Sequence, residues 1–190
     1  MNPSMKSGPL FSTANLMSFC RAGFAPVILL LLVAQTQAAL YGALFIVCLA
    51  AASDIADGYI ARRHASPSEF GRYLDSACDA IFNFAVFLGF LANDWLAPAA
   101  FAAIYFAEIV GPYLGAFAKQ LGRPFEIRWS ARLKTIIHPV AQIAVIAMAA
   151  VPQDPYAPVA LLALGAAIVV SMAYLIDHAV LTIRHTLQPA

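Results

Sequence analysis

Four aspartates stand close together in the sequence: Asp54, Asp57, Asp75 and Asp79. Asp54 and Asp57 are spaced i, i+3, and Asp75 and Asp79 are spaced i, i+4. On helices, each pair shares one face. If the two helices form an antiparallel hairpin, both pairs come to one depth. Four carboxylates at one place carry a charge of −4, which two divalent cations would neutralise. The donors are all hard oxygens, with no clustered Cys or His, which favours Mg²⁺ or Mn²⁺ over zinc. The plainer account is that these acids flank helix ends and pair with Arg62, Arg63 and Arg72. A third account is a cation-coupled transporter, because acids within a membrane also mark ion paths.

The elements that must hold these acids are membrane helices. Of the 190 residues, 62% are hydrophobic and only 11% are charged. A soluble domain carries about 25% charge. With a mean hydropathy of +0.78, the deficit excludes a disordered chain and an ordinary soluble globule. The formal net charge of +1 offers no field to attract nucleic acid. Cys20, Cys48 and Cys78 lie singly in apolar stretches and read as small buried hydrophobes rather than a disulfide or zinc site.

Apolar runs predict six helices, near 19–36, 39–63, 69–92, 96–121, 130–151 and 157–183. Turn chemistry separates them, as at Gln35-Thr36-Gln37 and Asn93-Asp94. Residues 9–18 suggest a short interfacial helix ahead of the first span. The first span reads as a retained helix rather than a cleaved signal peptide, because further spans follow at once. The expected architecture is an all-α integral membrane protein of six transmembrane helices. Residues 1–190 form one membrane domain, with segment 1–18, bundle 19–183 and tail 184–190. All eleven Lys and Arg residues fall on one side of this topology. The positive-inside rule then places both termini, and the aspartates, at the cytoplasmic face.

The residues between the acid pairs sharpen the reading. The run is Asp54-x2-Asp57-Gly58-x2-Ala61-Arg62-x8-Gly71-x3-Asp75-x3-Asp79. It resembles the signature of the CDP-alcohol phosphotransferases at all eight fixed positions over 26 residues. The lead-in Asn15-Leu16-Met17-Ser18-Phe19-Cys20-Arg21 is also similar to that family's. The resemblance implies transfer of a phosphatidyl group from CDP-diacylglycerol to an alcohol, with release of CMP, in phospholipid synthesis. It implies that Asp54, Asp57, Asp75 and Asp79 bind two metal ions, and that Asp79 is also the base for the acceptor hydroxyl. Arg62 would grip the diphosphate. Gly58, Ala61 and Gly71 would give the cytidine clearance, although small residues also serve plain helix packing. Ser68 and Asn15 would lie by the nucleotide. Arg63 and Arg72 would meet lipid phosphates at the interface. The resemblance further implies a homodimer in a bacterial inner membrane.

The acceptor is less defined. Ala131-Arg132-Leu133-Lys134-Thr135-Ile136-Ile137-His138 resembles a basic stretch of the phosphatidylglycerophosphate synthases. Arg132, Lys134 and Arg128 would then bind a phosphate on the acceptor, with His138 on the same face. Interfacial snorkelling accounts for the same cations equally well. The chain departs from those synthases in lacking a Lys after Asp79 and an Arg before Glu108, where Ala80 and Ala107 stand. Ser76 is reminiscent of members that use inositol phosphate or serine. The open alternatives are glycerol 3-phosphate, inositol phosphate, serine or another lipid as acceptor. From outside the class stand a transporter or a non-catalytic relic. A transporter has no use for Arg62 and Gly71 at these distances, and a relic would tend to lose one Asp.

Overall fold

The structure is a computed structural model. It describes residues 13–61, 69–120, 129–151 and 157–187, with side chains at 16–54, 71, 74–114, 129–151 and 157–183. Six helices follow one another: α1 (Thr13–Ala34), α2 (Gln37–Ala61), α3 (Glu69–Ala92), α4 (Pro98–Gln120), α5 (Trp129–Ala150) and α6 (Ala157–Leu187). Among the described residues, α1, α2, α3, α5 and α6 are long and apolar enough to cross a membrane. The apolar part of α4, Pro98–Leu114, is shorter. The protein is an all-α integral membrane protein. Its outward face agrees with that. Leu30, Phe45, Leu162 and Val169 are all highly exposed, which would be a liability in water and is ordinary against lipid tails.

Two of the expected breaks, at 35–37 and 93–94, lie among the described residues and carry turns. Gln35 takes a left-handed φ of 50° directly after α1, the conformation that commonly ends a helix. Thr36 then caps α2, its Oγ1 accepting from the Ala39 amide at 3.2 Å. The end of α3 is built in more detail. Asp94 has φ 59°. Its amide donates to the Leu91 carbonyl at 3.2 Å, and the Trp95 amide donates to the Phe90 carbonyl at 2.9 Å. This pair of bonds is a Schellman cap, with Asp94 in the left-handed position. The accompanying apolar contact is Trp95 on Phe90, ring centroids 5.8 Å apart.

The helix bounds differ from expectation most at α1, which begins at Thr13. Residues 13–18 of the anticipated interfacial segment are the first turns of α1 itself. Ser18 in this stretch, and Arg21 one turn beyond it, bond to α3.

The chain divides into two compact units, Met1–Gly89 and Phe90–Ala190. In the first, α1 packs on α2. α1 also pairs with α3 in a constant register, with Ser18 to Asp75, Arg21 to Asp79, and Leu32 beneath Gly89. Partners ascend together along both helices, so α1 and α3 run parallel. Gly89 permits this approach, since a Cβ there would lie 2.9 Å from the Leu32 Cβ, and Leu32 is fully buried.

In the second unit, α6 packs on both α4 and α5. Small buried residues, Ala107, Ala141 and Ala167, let these helices close up. Gly111 is the tightest point, because a Cβ there would overlap the Tyr174 ring. That ring is buried and braced by the His178 ring at 4.2 Å and by Lys134 Nζ at 4.4 Å. Gly111→Ala is therefore expected to destabilise the protein by about 1–3 kcal/mol. Thermal unfolding in detergent micelles checks this, and an unchanged midpoint would show that Tyr174 yields freely.

Candidate active site

The first unit brings acids from two helices to one cation. Asp54, near the end of α2, and Asp79, on α3, both bind the guanidinium of Arg21 on α1. Nη1 donates to Asp79 Oδ1 and Nη2 donates to Asp54 Oδ1. The planar fork of arginine suits such a two-sided contact. One turn earlier on α1, the Ser18 hydroxyl donates to Asp75 Oδ1 at 2.8 Å. Thus α1 engages three of the four aspartates with hydrogen-bond donors spaced i, i+3.

Arg21 is 7% exposed, whereas the Asp54 and Asp79 side chains are 33% and 37% exposed. The cation is enclosed and the acids remain open to incoming groups. Placing an arginine within the candidate span Leu16–Ala34 is costly unless acids meet it, and here two do.

Of the remaining motif residues, Gly71 lies on α3 and is half-buried. Asn15, Asp57, Gly58 and Ala61 lie on α1 and α2, with side chains outside the described residues. Arg62, Ser68 and Arg128 lie outside the described residues altogether. Among the described residues, no three Asp, Glu, His or Cys side chains close around one point. Asp54 and Asp79 converge, while Asp75 turns to Ser18. Asp54 and Asp79 thus present two carboxylates from different helices within the span of one guanidinium.

The role of Arg21 was not legible as a contact. The pairing partners expected for the acids were Arg62, Arg63 and Arg72, which follow α2 or flank Gly71. The signal for a polar face on α1 is the i, i+3 spacing of Ser18 and Arg21 within the Asn15–Arg21 lead-in.

The second unit holds a separate polar cluster. Lys134 Nζ donates to Glu108 Oε2 at 2.9 Å, with both side chains largely buried. His138, 2% exposed, lies with Nδ1 3.2 Å from Glu108 Oε1. Its Nε2 is 2.9 Å from Ser171 Oγ. The Ser171 hydroxyl spends its hydrogen on the Ala167 carbonyl, so His138 Nε2 carries the proton of that contact. Nearer the ends of α5 and α6, Ser130 donates to Asp177 at 2.8 Å. Arg132 is exposed. Of the expected acceptor residues, Lys134 and His138 therefore meet at Glu108, and Arg132 stands apart from them.

The sequence matches the CDP-alcohol phosphatidyltransferase family over residues 11–182. The chain belongs to that family. No curated protein matches it at a significant level. As a CDP-alcohol phosphatidyltransferase, it is a membrane-embedded phosphotransferase that moves a phosphatidyl group from a CDP-activated donor to an alcohol. The family is generally dependent on divalent metal. The match spans both compact units, so α4 to α6 belong to the phosphatidyltransferase as fully as the aspartate motif does.

Proposed function

We propose that this chain transfers the phosphatidyl group of CDP-diacylglycerol to a small alcohol and releases CMP, using two divalent ions, Mg²⁺ or Mn²⁺, held by Asp54, Asp57, Asp75 and Asp79. The observation that supports it best is the meeting of Asp54 and Asp79 from separate helices at one cation. When bound, the ions offset the diphosphate charge and lower the pKa of a nearby hydroxyl. The protein's own groups supply the rest. Asp79 accepts the proton of the acceptor hydroxyl. The acceptor oxygen bonds to the phosphorus of the phosphatidyl group, and the bond from that phosphorus to the CMP oxygen breaks. Arg62 holds the diphosphate, and Asn15 and Ser68 border the nucleotide. Gly58, Ala61 and Gly71 leave room for the cytidine.

For the acceptor, we read Arg132, Arg128, Lys134 and His138 as its binding residues, and a phosphate-bearing alcohol such as glycerol 3-phosphate as the first candidate. Glu108 already neutralises Lys134, so an acceptor phosphate would rest mainly on the two arginines. Inositol phosphate, serine and other lipid acceptors remain within the same chemistry. Residues 1–190 serve as one catalytic membrane domain, a reading supported by a family match that runs through both units. The segregation of Lys and Arg supports a cytoplasmic site. By family likeness, the enzyme works as a homodimer in a bacterial inner membrane, with surrounding lipid as solvent for its donor.

The test is CMP release by purified protein with CDP-diacylglycerol and a panel of alcohols, with Mg²⁺, Mn²⁺ or a chelator. One acceptor is expected to stimulate release strongly, and chelation is expected to abolish it. Undiminished release in chelator would sink the two-ion reading. Cation binding without CMP release from any alcohol would favour the transporter.

A further inference from the structure

Arg21 combines three properties that a merely structural ion pair does not need. Its charge is permanent, because a guanidinium does not give up its proton in a protein. It is buried, yet its two partners are about one-third exposed. The oxygens it holds belong to the first and last acids of the aspartate motif, on α2 and α3. A divalent ion binding to Asp54 and Asp79 needs those same carboxylates. At such short range a guanidinium and a dication repel, so the two cations compete for one site.

We propose that Arg21 is the resident counter-cation of the aspartate site, and that divalent metal loads by displacing its guanidinium from Asp54 and Asp79. This rests on the two-ion reading above. In the metal-free protein, Arg21 keeps the like charges on α2 and α3 from repelling one another. It thereby sets the metal concentration at which the site fills. Ser18, bonded to Asp75 one turn away, carries no charge and offers no such competition. The arrangement also explains why α1 holds an arginine inside an apolar span. Its fork reaches acids on two helices at once, which the single ammonium of lysine does less well.

The test uses the full chain in detergent, with Mn²⁺ as probe. Mn²⁺ affinity is measured by titration calorimetry, and thermal unfolding is followed in chelator and in excess Mn²⁺. Arg21→Gln is expected to bind Mn²⁺ about tenfold or more tightly than the unaltered protein. It should unfold at lower temperature in chelator and gain more from added Mn²⁺. Arg21→Lys keeps a charge but loses the fork, so its affinity should fall between the two. A purely structural arginine would lower stability in chelator without tightening Mn²⁺ binding. Arg21→Gln affinity equal to or weaker than that of the unaltered protein overturns the proposal. Should Arg21→Gln fail to fold, Arg21→Lys decides alone: tighter binding supports the proposal and unchanged binding overturns it. If the unaltered protein binds no Mn²⁺ at all, the two-ion reading falls and this inference falls with it. Unaltered protein that binds, beside variants that bind no more tightly, removes this inference only.

Discussion

Asp79→Asn should reduce CMP release by about a thousandfold or more, while CDP-diacylglycerol still binds. The expectation comes from what asparagine retains and what it loses. It keeps the shape of the side chain and one oxygen that can accept a hydrogen bond, but it cannot take a proton at neutral pH. A positioned general base contributes about 10²- to 10⁴-fold to a rate. Asp79 would also be a metal ligand, so the upper part of that range applies. The substitution also removes one of the two charges that meet Arg21. That loss weakens a contact between α1 and α3 without removing it, because Ser18 still binds Asp75 and Leu32 still packs on Gly89. The fold should therefore persist and the chemistry should not. CMP release measured beside equilibrium binding of the donor lipid separates the two. Unchanged release would mean that the proton leaves by another route and that Asp79 is not the base.

The second large effect concerns the polar cluster of α4, α5 and α6. Glu108→Gln leaves Lys134 with its charge and without its counter-ion, in a place where only 16% of its side chain is exposed. Breaking one side of a buried ion pair costs about 3–5 kcal/mol, chiefly because the surviving charge is stranded. Lys134→Met should cost a similar amount for the mirror reason. It strands the buried Glu108 carboxylate, which has His138 Nδ1 3.2 Å from its Oε1. The double variant, with neither charge, should recover most of the loss. The expected signature is strong non-additivity in a double-mutant cycle. Unfolding in detergent micelles gives the four values. Additive losses would show that the two residues act separately, and that the packing of Lys134 over Tyr174 matters more than its bond to Glu108.

These two predictions fall on residues of different legibility. The aspartates stood out in the sequence because acids are expensive near lipid, so four at helical spacings demand a joint purpose. The same expense made the helices legible. A stretch that crosses a bilayer must satisfy its backbone internally, which leaves long apolar runs separated by short turns. Gln35 and Asp94 are examples, each taking the left-handed φ at a break expected from the sequence. The motif resembles the family's signature at every fixed position, and the match over residues 11–182 establishes the membership.

What the sequence could not determine was which charges meet. Arg21 lies 33 residues before Asp54 and 58 before Asp79. Arg62, Arg63 and Arg72 stand closer to both acids in the chain, and no local spacing states that Arg21 is the one that meets them. Lys134 likewise read as a cation awaiting a phosphate until Glu108, 26 residues earlier, proved to be its partner. Helical spacing states which residues share a face of one helix, but the partner across a helix contact depends on the register between helices. Register is fixed by packing. Leu32 enters the space left by Gly89, Tyr174 fills the space at Gly111, and the ion pairs form where those contacts have set the helices.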